Sequence, residues 1–279
     1  MMHRYVVADV FTGTPLEGNG LAVFLDAAGL DGETMQRTAR ELNLSETVFV
    51  LRRWDGGAEI RIFTPFLELP FAGHPVLGTA FVLGQDDEAA TIELSTGAGV
   101  VPVALTRSGG SVVFGEMEQP LPTTEPFDRT HELLGALGVA KPELPVQAYR
   151  NGPVHVYVGL GSEAEVAALA PDLGRLRELG AIGVSCFAVD GTEVKTRMFG
   201  PGVGVAEDPA TGSAAGPLAV HLARHGRIQY GTRITIRQGE EIKRPSVLYA
   251  QADGTAERLQ RVAVGGATVI VARGEYRLR

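Results

Sequence analysis

Cysteine is almost missing from this chain, with Cys186 alone among 279 residues. That excludes a disulfide framework and any thiolate metal cluster. Lysine is scarce as well: only Lys141, Lys195 and Lys243 occur, none in a candidate site loop, so Schiff-base chemistry is not expected. No apolar run approaches the ~18 residues of a membrane-spanning helix. Positive charge is in deficit, since 25 Lys and Arg against 33 Asp and Glu leave a net −8. This balance argues against nucleic acid or a membrane as partner. The run from Met1 to Asp9 lacks the apolar core and cleavage site of a signal peptide and reads as a first strand. A cytoplasmic setting is expected. What remains is ordinary globular composition, 44 % apolar and 21 % charged, with chain enough for two packed cores.

Several familiar motifs are also absent. Gly200, Gly202 and Gly204 have no glycine at 207 and no βαβ pattern around them, so a dinucleotide loop is not indicated. Gly212-Ser213-Ala214-Ala215-Gly216 carries its serine one place too early for a nucleophile elbow. His221 and His225 stand four apart, as zinc ligands can, but Gly226 ends the helix directly after them. A histidine favoured by the negative helix terminus is the alternative adopted. No metal and no organic cofactor is implied.

What is present is a repeat. Asn19-Gly20 and a strand-like run return as Asn151-Gly152 followed by Val154, Val156 and Val158. Arg61-Ile62-Phe63-Thr64-Pro65 returns as Arg197-Met198-Phe199-Gly200-Pro201, and Gly73-His74-Pro75 as Gly212-Ser213-Ala214. The offset drifts from 132 residues at Asn19 and Asn151 to 143 at Pro102 and Pro245, as small insertions require. Two units make a duplicated domain, not a solenoid.

Short β-branched or alternating runs from Tyr5 to Gly115 read as strands of a largely antiparallel sheet. Gly32 to Leu42, with Met35, Ala39 and Leu42 in one stripe, reads as a surface helix. Pro75 to Leu83 is apolar nearly all round and must be a buried helix. Pro75 suits its first position and Gly84 a left-handed stop. The expected fold is therefore α+β: two pseudo-symmetric domains, each a curved, mainly antiparallel sheet wrapped around a buried central helix. The proline-rich stretch Glu118 to Pro126 marks the boundary, giving a first domain 1–122 and a second 123–265. The tail 266–279 contains Thr268-Val269-Ile270-Val271, a strand expected to return to the first domain.

Four polar residues stand out where the repeats differ. Glu46, at the mouth of an apolar strand, is either a solvated loop acid or a carboxylate of raised pKa able to take and return a proton. His74 begins the buried helix, where free amides attract anions, unless it merely caps or packs. Asp208 before Pro209 reads as an Asx-turn residue or a substrate ligand, and Ser213 as a helix N-cap or a ligand. A pseudo-two-fold arrangement would set Gly73-His74 and Gly212-Ser213 around one small carboxylate substrate.

The segments NLSETVF (43–49), ELPFAGHP (68–75) and EDPATGSAAG (207–216) resemble the signature of the phenazine-biosynthesis PhzF family. NGPVHVYVGL (151–160), GPLAVHLARH (216–225) and RPS (244–246) resemble its phenazine branch. The resemblance covers the whole chain and implies the diaminopimelate-epimerase-like fold, a homodimer, and action on trans-2,3-dihydro-3-hydroxyanthranilate. Related epimerases use two cysteines at the helix starts. His74 and Ser213 stand there instead, so two-thiol chemistry is impossible. The resemblance assigns Glu46 as acid–base, with His74, Asp208 and Ser213, and the backbone of Gly73 and Gly212, holding the substrate. Cys186 is expected to be a buried strand residue roughly aligned with Glu46. The competing expectations are a related isomerase or epimerase acting on another small amino or hydroxy acid, or a silent binding protein.

Overall fold

In the computed structural model, which describes residues 1–278, turn chemistry places the elements that matter most. Asp31 caps α1 (Gly32–Leu42) by accepting the Thr34 amide at 2.7 Å. Asn43 closes the helix in the left-handed conformation, φ 52°, which its short polar side chain tolerates. The chain then turns, so that Glu46 becomes the first residue of β3 (Glu46–Trp54). Met35, Thr38 and Ala39 form the buried stripe of α1 and pack with Phe24, Phe49 and Phe63.

The fold is α+β with strands dominant, and the chain forms two compact units. The first comprises Met1–Glu118 and the stretch from Gly265 onward. Here β1 (Met2–Val10) pairs antiparallel with β2 (Asn19–Phe24) on one side and with β18 (Thr268–Arg277) on the other. Next, β2 runs parallel to β3, β3 antiparallel to β4 (Gly57–Phe63), and β4 parallel to β6 (Thr91–Thr96). The short β5 (Glu68–Leu69) also pairs with β4. Antiparallel ladders through β7 (Gly99–Ser108) and β8 (Ser111–Glu118) complete the sheet. Each parallel pair needs a crossover, and the two helices supply it: α1 between β2 and β3, α2 (Gly73–Gly84) between β4 and β6.

All twelve residues of α2 are buried, as its apolar sequence requires. Two details of its ends differ from expectation. Pro75 is the third helical residue, still within the turn whose amides need no helical partner. Gly84 stays helical, and the helix passes into a right-handed Gln85. A Cβ there would stand 2.3 Å from Cδ1 of Leu105, so a side chain would require Leu105 to shift.

The second unit, Gln119–Val264, repeats the order of ladder types. β9 (Thr123–Pro126) pairs antiparallel with β10 (Gln147–Arg150), and β10 with β11 (Val154–Gly159). Then β11 runs parallel to β12 (Gly183–Asp190), β12 antiparallel to β13 (Glu193–Gly200), and β13 parallel to β15 (Arg233–Gln238). β14 (Val205–Asp208) also pairs with β13, and β15 with β16 (Ser246–Gly254). β17 (Leu259–Gly266) follows. The outer helices are α3 (Thr130–Leu137), α4 (Glu163–Ala167) and α5 (Leu173–Arg177), while the buried one is α6 (Gly212–Arg224).

The registers fix which residues correspond. Thr47 faces Phe63 and Val184 faces Phe199; Leu21 faces Glu46 and His155 faces Gly183. The counterpart of Glu46 is therefore Gly183, and the counterpart of Leu21 is His155. Cys186 is buried as expected, but it faces Arg197 just as Phe49 faces Arg61. It corresponds to Phe49, so its rough alignment with Glu46 is corrected by three residues.

The repeat extends to ion pairs. Arg61 holds Glu68 through two bonds of 2.7 Å, and Arg197 holds Glu207 through bonds of 2.8 and 2.7 Å. Each pins the loop that leads to its buried helix. Their surroundings differ: the second pair is 9 % and 12 % exposed, the first 32 % and 43 %. Arg197 also donates to the carbonyls of Ala167 and Leu169. Glu207→Gln should accordingly destabilise the fold by about 3 kcal/mol, because it removes the countercharge closest to a buried guanidinium. Glu68→Gln should cost less than about 1 kcal/mol. Equal shifts in urea midpoint for the two variants would contradict this ranking.

Candidate active site

In the first unit the sequence-selected residues Glu46 and His74 come together. Asn43 positions Glu46 at the start of β3, and α2 carries Gly73 and His74 as its first two residues. Oε2 of Glu46 stands 3.3 Å from Nε2 of His74, with side chains 16 % and 5 % exposed. Asn19 approaches the opposite ring nitrogen, Nδ1, at 3.4 Å. Burial drives the His74 pKa down to about 3, against a smaller opposing bond to the Gly20 backbone. The imidazole is therefore neutral at ordinary pH. A neutral ring offers the neighbouring carboxyl group no countercharge.

In the second unit Asp208 ends β14 and is buried. Its Oδ2 accepts the Thr211 hydroxyl at 2.6 Å, an arrangement close to the turn role that Asp-Pro suggested. Gln238 locks the turn, donating to the Asp208 carbonyl at 2.8 Å and to Oγ1 of Thr211 at 3.0 Å. Since Thr211 is committed to Asp208, no side chain caps α6; none caps α2 either. Ser213 is not the N-cap. It is the second residue of α6, and its hydroxyl lies 3.0 Å from Nε2 of His155.

Pro217 inside α6 explains one of the polar contacts beneath that helix. Proline has no amide hydrogen, so the Ser213 carbonyl four residues earlier lacks its helical donor. Asn151 supplies one through Nδ2 at 3.0 Å. Gln119 donates to the Gly212 carbonyl at 2.8 Å and Tyr157 to that of Ala214 at 2.7 Å.

His221 is fully buried, its ring stacked on Tyr157 and Nδ1 3.1 Å from the Tyr149 hydroxyl. Burial depresses its pKa to about 3, so the ring is neutral and is not a charged partner of the helix terminus. Burial likewise pushes the Cys186 thiol up to about 12, far from a reactive thiolate. Among the described residues no three His, Cys, Asp or Glu side chains gather as metal ligands, and no helix is long and apolar enough to cross a membrane.

Sequence reasoning passed over Asn19, Asn151, His155, Thr211 and Gln238. The asparagines carried a usable signal, since both are repeat anchors and each reaches the start of a buried helix. His155 carried none, because it sits in an alternating run of valines.

Comparison with known proteins agrees with this architecture. Residues 8–274 match the model of the family described as phenazine biosynthesis-like protein, PhzC-PhzF. The chain is 55 % identical to trans-2,3-dihydro-3-hydroxyanthranilate isomerase of Pseudomonas aeruginosa over 274 residues, 98 % of this chain and 99 % of that one. It is 52 % identical to the enzyme of the same name from Pseudomonas chlororaphis, with the same coverage. The crystal structure of a PhzF-family phenazine biosynthesis protein from Bacillus anthracis matches with a TM-score of 0.87 at 25 % identity, covering 100 % of both chains. With the fold, the duplicated ladders and nearly the full length in agreement, the chain belongs to the PhzC-PhzF, or phenazine biosynthesis-like, family.

Proposed function

We propose that this protein is a trans-2,3-dihydro-3-hydroxyanthranilate isomerase of phenazine biosynthesis in which Glu46 is the single acid–base group. The two highly identical relatives carry that activity in their names. The observation that carries the assignment to Glu46 is its half-buried position 3.3 Å from a neutral His74. Glu46 removes the proton from the ring carbon bearing the hydroxyl. The two ring double bonds each move one place, and Glu46 returns the proton to the carbon bearing the carboxylate, on the same face. The enol so formed takes a proton on carbon, loses its hydroxyl proton and becomes the ketone. One base suffices for a same-face transfer.

In this reading His74 and Asp208 hold the hydroxyl and amino groups. Ser213, with the backbone of Gly73 and Gly212, binds the carboxylate. Helix starts without side-chain caps support that role, since their amides favour anions. The reading includes no metal or organic cofactor, and extends to a homodimer in the cytoplasm.

The test is proton NMR of the purified protein with this substrate in deuterated water. Loss of the substrate with protium retained at the carboxylate-bearing carbon is expected. Unchanged substrate under the same conditions would overturn the reading.

A further inference from the structure

The two buried helices begin with different polar residues, and the registers show that each has its own titratable neighbour. His74 in the first unit is met by Glu46, the first residue of β3. The place of Glu46 in the second unit is taken by Gly183, which has no side chain to offer. The group that meets Ser213 comes from the adjoining strand instead: His155 on β11, where the first unit has the apolar Leu21. The exchange is sterically coupled, because a Cβ on residue 183 would stand 2.6 Å from Nδ1 of His155. Glycine at 183 thus opens the space that the imidazole fills.

The ring is 3 % exposed, and Nδ1 has no hydrogen-bond partner among the described residues. Burial lowers the His155 pKa to about 4, so the ring carries one proton. Two tautomers are then possible. With the proton on Nδ1, a buried N–H would go unpaired and Nε2 would take up the serine hydroxyl hydrogen. With the proton on Nε2, the ring donates to Oγ, and only a bare lone pair at Nδ1 is left. Orphaned buried donors are the rarer and costlier case, which selects the second tautomer.

We propose that His155 is a positioning residue that donates from Nε2 to the Ser213 oxygen and so turns the serine hydroxyl hydrogen toward an anionic group of the substrate. The inference rests on the reading of Ser213 as a carboxylate contact. It adds the source of the polarity: a serine whose hydrogen was taken by the imidazole would present only lone pairs to the anion and repel it.

His155→Leu, which copies the first unit's residue, removes the donor while keeping apolar volume. KM for the substrate and the Kd of anthranilate, measured by calorimetry, should each rise about tenfold, the effect of one hydrogen bond to a charged group. The turnover number should stay within a few-fold. Binding of anthranilamide, which carries no charge, should hardly change. His155→Gln restores an N–H donor and should recover most of the loss. In a Ser213→Ala background, His155→Leu should add nothing. If Ser213→Ala weakens anthranilate binding but His155→Leu does not, the inference about His155 fails while the reading of Ser213 stands. If Ser213→Ala leaves anthranilate binding unchanged, the Ser213 reading itself fails. Equal losses for anthranilate and anthranilamide, or no recovery in a folded His155→Gln, would reduce His155 to a packing residue and overturn the proposal.

Discussion

Glu46→Gln is expected to lower turnover by about 10²–10⁴-fold, the usual contribution of a group that moves the proton. Glutamine keeps the size and hydrogen-bonding reach of glutamate but cannot accept a proton. Binding of anthranilate should survive within a few-fold, because the carboxylate-binding groups are untouched. The loss should therefore fall on kcat and on kcat/KM together, the signature of an interaction made in the transition state. Stopped assays with matched protein concentrations would read it directly. A variant that turns over within a few-fold of the parent would leave Glu46 as a structural acid beside His74 and would require another base.

Mild acid is the second large effect. His74, His155 and His221 are buried and neutral, with pKa values pushed to about 3, 4 and 3 by desolvation. In the unfolded chain each would titrate near the ordinary value of about 6.5. Below that pH the unfolded state binds protons that the native state refuses, so stability falls as pH falls. The stabilisation is fully present above pH ~6.5, is lost through the window below it, and stops changing for each ring once its folded pKa is passed. The slope is roughly 1 kcal/mol per histidine per pH unit, so three rings remove several kcal/mol by pH 5. That is a large share of the ~5–15 kcal/mol typical of a folded domain. Urea midpoints at pH 7, 6 and 5 should fall steadily, in a window where most carboxylates are still ionised. A flat profile between pH 7 and 5 would mean that the rings find compensating partners on protonation.

Much of the architecture could be read along the chain. Met35, Ala39 and Leu42 mark the stripe of a helix, the unbroken apolar run of α2 demands burial, and the Arg–x–Phe anchors mark equivalent strands. These signals are local, and local chemistry decides them. At other positions packing overrides propensity. Glycine suits a left-handed stop, but Gly84 stays helical, with Leu105 close against it. Of the two readings left open for Ser213, cap or ligand, the cap falls, because the residue lies inside the helix facing His155. Histidine near a helix end suits the dipole, but His221 is enclosed by Tyr149, Tyr157 and Phe187.

By itself the sequence determined the duplication and the α+β class, because spacing and apolar pattern are preserved when a domain is copied, and it singled out Glu46, His74, Asp208 and Ser213 because they stand where the copies differ and within the family's motifs. Only the tertiary structure decided who meets whom. The tail strand was expected to return to the first domain and pairs there with β1, but that Glu46 stands against His74 and that Ser213 is served by His155 are facts of ladder register. A strand's side chains alternate between faces, so a shift of one residue would turn Glu46 or His155 away from its helix. No local run of residues encodes that register; the pairing of strands distant in the chain does.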